Sequence, residues 1–207
     1  PWLAAERNQQ IESRRRVTDA AIVDAVVDRL PGSVLDVGCG EGWLCRELAA
    51  RDIRVAGIDV TPELVETART AGGGDFYLGE HEQLAPGRFT TPVDAVVCNF
   101  SLLGKASAER VLEVAPSLIN PAGTVIVQTL HPVTACGDLA YRDGWREGSW
   151  AGFGSEFTDP APWYFRTLGS WLELFGRCRL RLLEMREPLH PKTQKPASVI
   201  FVAEPVG

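Results

Sequence analysis

The chain has 207 residues, 45% apolar and 23% charged, with a formal net charge of −6. That length is enough for one large domain with a full core, and the composition excludes both a disordered chain and one spanning a membrane, since no apolar run approaches the roughly 20 residues such a helix needs. The acidic balance leaves no electrostatic footprint for nucleic acid. Its one dense basic run, Arg14 to Arg16, is too short and isolated to reverse that. Five cysteines (Cys39, Cys45, Cys98, Cys136 and Cys178) make an odd number without CxxC spacing. This excludes a disulfide framework or a zinc site and suits a reducing cytoplasm. The opening stretch has no apolar core before a cleavage site, so no secretory signal is expected.

In chain order, Thr18-Asp19 reads as the cap and first turn of a helix through Leu30, with Ile22, Val26 and Leu30 on one face and Pro31-Gly32 as its stop. SVLDV (33–37) predicts a strand, the segment after Glu41 a helix, and IRVAGIDV (53–60) a second strand. Thr61-Pro62 opens a helix that ends at Gly72-Gly73-Gly74. DFYLGE, VDAVVCNF (93–100) and TVIVQTL (124–130) follow as strands, with a helix over 106–118 before the last and an Asn-Pro-Ala-Gly turn at 120–123. These strands are nearly continuous apolar runs alternating with helices, the pattern of a parallel sheet covered on both faces and wound in right-handed units. Residues 131–166 are aromatic, Gly- and Pro-rich and lack periodicity. A helix near 168–176 and two strands, RLRLLEMRE and ASVIFVAE, close the chain, and their short connection predicts an antiparallel pair.

LDVGCGEGWL (35–44) is the informative stretch. A dinucleotide corner of the G-x-G-x-x-G type needs a glycine at 43, where this chain has Trp. Glycines fall instead at 38, 40 and 42, preceded by Asp36, giving D-x-G-x-G-x-G. That pattern resembles the first motif of class I S-adenosylmethionine-dependent methyltransferases. The later elements agree: Asp59-Val60 at the end of the second strand, LGEHEQL after the third, CNFSLL after the fourth, and INPAGTVIVQTLHP around the fifth.

The resemblance covers residues 33–130 and implies a Rossmann-like, doubly wound α/β fold, a mostly parallel seven-stranded sheet with one antiparallel strand. It implies S-adenosyl-L-methionine as cofactor and S-adenosyl-L-homocysteine as product. In that light Gly38, Cys39 and Gly40 border the methionine part and Asp36 orders the loop or meets the ammonium group. Asp59 accepts the ribose hydroxyls, Val60 packs on the adenine, Glu80 and His81 take the places near its amino group, and Asn99 borders the sulfonium through its backbone. Glu80 and His81 depart from the family's usual Asp and small residue. Arg16, ahead of the sheet, is placed to reach the methionine carboxylate from a covering segment that also holds Trp2 and Arg7. The small-molecule branch, like the ubiquinone-biosynthesis type, is favoured, because the Asn/Asp-Pro-Pro-aromatic motif and the Pro-Cys nucleophile of nucleic-acid methyltransferases are both absent.

On the acceptor side, His131 follows the fifth strand at the carboxyl edge, where ligands bind in such sheets, and is the candidate base or orienting group. Eight of the 17 aromatic residues lie in 131–166. A long irregular loop so rich in aromatic residues suggests a lid over an apolar or aromatic acceptor. Trp145, Tyr164 and Arg166 are its candidate substrate contacts. The expected organisation is one domain: 1–32 a helical cover, 33–130 the donor-binding core, 131–166 the lid, and 167–207 a helix with a strand pair. The expected partner is a small-molecule acceptor, with no nucleic acid and no membrane. The competing expectations are an NAD(P)-dependent oxidoreductase and a binding module without catalysis.

Overall fold

The computed structural model describes residues 17–89, 91–148 and 161–207. A seven-stranded sheet forms its centre, built from β1 (Ser33–Val37), β2 (Arg54–Asp59), β3 (Asp75–Leu78), β4 (Val93–Asn99), β5 (Ile119–Thr129), β8 (Leu180–Arg186) and β9 (Val199–Pro205). The spatial order is β3-β2-β1-β4-β5-β9-β8. The β3–β2, β2–β1, β1–β4 and β4–β5 pairings are parallel, while β9 runs antiparallel to both β5 and β8. One strand is therefore reversed, and it is inserted between β5 and β8, not left at the rim. Insertion pairs the almost wholly buried VIFVAEP on both sides and leaves the half-polar LRLLEMR as the edge, the arrangement that keeps an apolar strand from exposing unpaired backbone.

Successive residues of the central strands feed opposite cores. Leu35, Val37, Val96, Val125 and Val127 join one apolar cluster with α4 (Lys105–Val114) and α6 (Leu168–Arg177), which contributes Trp171, Leu174 and Phe175. Val34, Ala95, Val97 and Ile126 join the other, with α1 (Asp19–Val27), α2 (Trp43–Ala49) and α3 (Pro62–Ala71). A strand that alternates between two cores must be apolar at every position, which is why these segments read as continuous hydrophobic runs.

Four local expectations are corrected. α1 ends at Val27, and Leu30 takes a left-handed φ of 51° and lies 86% exposed, so it does not share a face with Ile22 and Val26. Thr18 has helical dihedrals and no side-chain cap bond. The 120–123 turn is absorbed into β5 as an irregularity, the pairing stepping from Val93–Ile119 to Ala95–Thr124, with Ala122 at a φ of 65°. Lastly, the segment after β5 holds regular structure: a short α5 (Pro132–Ala135) and an antiparallel pair, β6 (Gly144–Arg146) with β7 (Trp163–Phe165). Asp143 accepts the N–H of Thr167 at 2.9 Å, and the Tyr141 hydroxyl accepts that of Leu168 at 2.9 Å, so this pair is fastened to the start of α6.

Candidate functional site

A cleft of about 430 Å³ opens at the carboxyl ends of β1 to β4. Its lining includes Asp36, Gly38, Cys39 and Gly40 from the first corner, Asp59 and Val60 from the second, Glu80 and His81 from the third, and Asn99 from the fourth. Nine of the ten expected cofactor residues thus meet in one cleft; the tenth, Arg16, lies outside the described residues, as do Trp2 and Arg7. The order of the sheet spreads them along a line: Glu80 and His81 beside β3, Asp59 beside β2, Gly38 beside β1, Asn99 beside β4.

The corner owes its shape to close approaches within the protein. Gly38 has a φ of +80°, and a Cβ there would stand 2.2 Å from Cβ of Ser101, whose hydroxyl donates to the Val37 carbonyl. This glycine therefore makes room for the loop after β4 as well as bordering the cleft. Gly42, with a φ of +78°, lets the start of α2 pack on the ring of Phe76. Both dihedrals lie where a side chain is strained.

The loop amides are engaged. Gly38 and Cys39 both donate to the Ile58 carbonyl, at 2.8 and 3.0 Å, and Gly40 donates to Oδ2 of Asp59 at 2.9 Å. Oδ1 of Asp59 accepts the Thr61 N–H at 2.8 Å. Each carboxylate oxygen keeps a further lone pair for a ligand hydroxyl. Asp36 is buried beneath the corner and accepts the Cys45 thiol at 3.5 Å. Burial, with the Asp36 charge added, pushes the thiols of Cys39, Cys45 and Cys98 well above the ordinary range and keeps them protonated. Desolvation lowers the pKa of His81 and favours its neutral ring.

The charges of the described lining are of one sign. Asp36, Asp59, Glu80 and Glu82 are present, with no Lys or Arg. These carboxylates favour a cation over a pyrophosphate, and the glycine corner has no spare amides at 38, 39 or 40 with which to cradle one.

Comparison with known proteins agrees. Residues 34–123 match the model of a methyltransferase domain. Over that stretch the chain is similar to methyltransferase domains. A ubiquinone biosynthesis O-methyltransferase of Xanthomonas campestris is 37% identical over 120 residues, 54% of this chain and 48% of that protein. The chain thus spans about half the length of the curated relatives it matches. A Listeria monocytogenes structure, solved as a candidate S-adenosylmethionine-dependent methyltransferase, superposes with a TM-score of 0.72 at 19% identity, covering 92% of this chain and 99% of that one. Magnesium protoporphyrin IX methyltransferase of Synechocystis, solved with bound S-adenosylhomocysteine, gives a TM-score of 0.66 at 20% identity, covering 91% of this chain and 82% of that one.

The acceptor-side candidates separate. Trp145 is 60% exposed and stands edge-on to Tyr164, ring centroids 5.5 Å apart. Tyr164 donates its N–H to the carbonyl of Leu103, a residue of the cleft lining, at 2.8 Å, which brings the β6–β7 pair to the rim. Arg166 is buried, bonded to the Lys105 carbonyl at 3.0 Å and to Glu109 at 3.3 Å, with its guanidinium over the rings of Tyr164 and Trp171. His131 is buried outside the cleft lining, its Nε2 2.7 Å from Glu187. Trp150, Phe153 and Phe157 of the expected lid lie outside the described residues. Sequence reasoning missed Ser101, Thr61, Glu82 and Leu103 in the lining. The left-handed φ of 52° at Phe100, which turns Ser101 onto Gly38, had no signal in a residue type that rarely adopts it.

Proposed function

We propose that the chain transfers a methyl group from S-adenosyl-L-methionine to a small acceptor with an apolar or aromatic body. The observation that carries this reading is the all-acidic described lining of the cleft above a glycine corner whose amides are already engaged. When bound, the sulfonium supplies an electrophilic methyl group and its own leaving group. Asp59 is read as the acceptor of both ribose hydroxyls, Val60 as the wall for the adenine, and neutral His81 with Glu80 and Glu82 as the polar edge beside it. Carboxylates distributed along the cleft favour the positively charged donor over its uncharged-sulfur product, which helps the product leave.

Displacement at a methyl carbon asks the protein chiefly to align two partners, an effect worth several kcal/mol of barrier (about 7 or more when alignment is complete). Leu103, Tyr164 and the exposed face of Trp145 form the side that would hold the acceptor. Arg166 is read as the brace that fixes Tyr164 against α4. His131 is read as a joint between the ends of β5 and β8, so that transfer does not pass through its ring. The division into a cover (1–32), donor core (33–130), lid (131–166) and closing helix with strands (167–207) is retained as part of the proposal. No described helix is long and apolar enough to cross a membrane, and the five cysteines are buried and unpaired, in keeping with a cytoplasmic site of action.

The test is transfer of tritiated methyl from S-adenosylmethionine to a panel of small phenols, catechols and amines, with transfer RNA and bulk protein alongside. Label in a low-mass product supports the reading. Label confined to macromolecules contradicts the acceptor class. Donor binding without transfer to anything favours a binding module.

A further inference from the structure

Behind the cleft runs a buried polar chain that the reading above does not use. Ser198, just before β9, donates its hydroxyl to Oε1 of Gln128 at 3.0 Å. Gln128, near the end of β5, donates through Nε2 to Oδ1 of Asn99 at 2.7 Å and to the Thr18 carbonyl at 3.1 Å. Gln128 is 1% exposed, Ser198 fully buried and Asn99 7% exposed. The Gln128 carbonyl also accepts the N–H of Phe100 at 2.8 Å, so one residue holds both the side chain of Asn99 and the strained backbone after it.

The direction of this chain follows from chemistry. A backbone carbonyl only accepts, so the Gln128 atom facing Thr18 is its nitrogen. Both hydrogens of that nitrogen are then used, one on Thr18 and one on Asn99, and Asn99 must present its oxygen to Gln128. Its Nδ2 is then left over, with no partner among the described residues. Asn99 lines the cleft beside β4, at the end opposite Glu80 and His81. If the adenine lies near β3 and the ribose at Asp59, the amino-acid tail of the ligand lies here. That tail carries a carboxylate, and the described lining offers it no Lys or Arg and no free amide at 38, 39 or 40.

We propose that Gln128 is a positioning residue that locks the Asn99 amide with Nδ2 facing the cleft, as the neutral donor for the carboxylate of the bound sulfonium ligand. The proposal rests on the methyl-donor reading of the cleft. Asn99→Asp is the sharp variant, because it keeps an oxygen for Gln128 and the side-chain shape, changing only the group turned towards the ligand. Gln128→Met removes the lock while filling the same space.

The experiment is calorimetric titration of wild type and both variants with S-adenosylhomocysteine and with S-adenosyl-3-thiopropylamine, the same molecule without its carboxylate. Asn99→Asp is expected to weaken the homocysteine ligand at least tenfold and the decarboxylated one less than twofold. Gln128→Met should shift the same ratio in the same direction, by several-fold, even with a lowered melting temperature, which a purely structural role would not do. Equal losses on both ligands, or none on either with Asn99→Asp, overturn the proposal. If wild type binds neither ligand, the donor reading itself has failed, and the inference falls with it.

Discussion

The two ends of this molecule are assembled differently. In the donor half, β1 to β3 each end in a corner that delivers functional residues from two to five consecutive positions: Asp36 to Gly40, Asp59 to Thr61, Glu80 to His81. In the acceptor half, nothing local suffices. The β6–β7 pair is held by Tyr164 to Leu103 and by Thr167 to Asp143, and the end of β5 by His131 to Glu187, ties that span from 24 to 61 residues. The lesson is that the donor half is held by contacts between adjacent strand ends, such as Gly40 to Asp59 and Gly38 against Ser101, whereas the acceptor half is held by ties from a separate strand pair.

The largest expected effect is Gly38→Ala. The new Cβ would meet Ser101 at 2.2 Å in a left-handed backbone, which costs about 3 kcal/mol from dihedral strain and overpacking. Urea unfolding reads this, and an unchanged midpoint would show that the loop after β4 is not pressed on the corner. Next comes Asp59→Ala, expected to weaken S-adenosylhomocysteine about 100-fold, since two hydrogen bonds to a charged acceptor are lost. Calorimetry within threefold of wild type would move the ribose elsewhere. On the other side of the comparison, Trp145→Ala should leave donor affinity within twofold and lower the catalytic efficiency for the acceptor about tenfold, the scale of one aromatic contact. A matching fall in donor affinity would join the two halves that the account keeps apart.

The smallest effect is at the start of β4, away from the cleft. Asp94 accepts from Asn120, Ser33 and Gly32, and these bonds, the Asn120 amide first, hold its carboxyl below the ordinary range. A depressed folded pKa adds stability above the usual carboxylate value and loses it as pH falls through the folded one. Asp94→Asn should therefore flatten the acid arm of the melting curve below about pH 4. An acid arm identical to wild type would leave these bonds without weight.

The same contrast governs what the sequence disclosed. Continuous apolar runs announced the parallel strands, because most residues of the inner strands pack into one of two cores. The glycine spacing and Asp59 announced the donor cleft, because these residues stand at the ends of neighbouring strands, where Gly40 donates to Asp59. The purpose of Gly38 was not legible: its neighbour Ser101 is 63 positions away and arrives through an unforeseeable left-handed Phe100. Arg166 looked like a substrate contact because sequence cannot show a burial site beside Glu109 or a ring stacked beneath it. His131 stood at the expected end of the sheet, yet its partner Glu187 comes 56 positions later, just after β8. The pairing of β6 with β7 was not legible because it joins two three-residue runs that stand 16 residues apart, too short for a strand pattern.

One titration bears most directly on the whole account: S-adenosylhomocysteine and NADH, separately, into the unmodified chain. An acidic cleft with its corner amides engaged predicts saturable one-to-one heat from the first and none from the second. Saturable binding of NADH with silence from S-adenosylhomocysteine would mean that a pyrophosphate is accommodated among four carboxylates, and the assignment of this cleft to a sulfonium donor would be wrong.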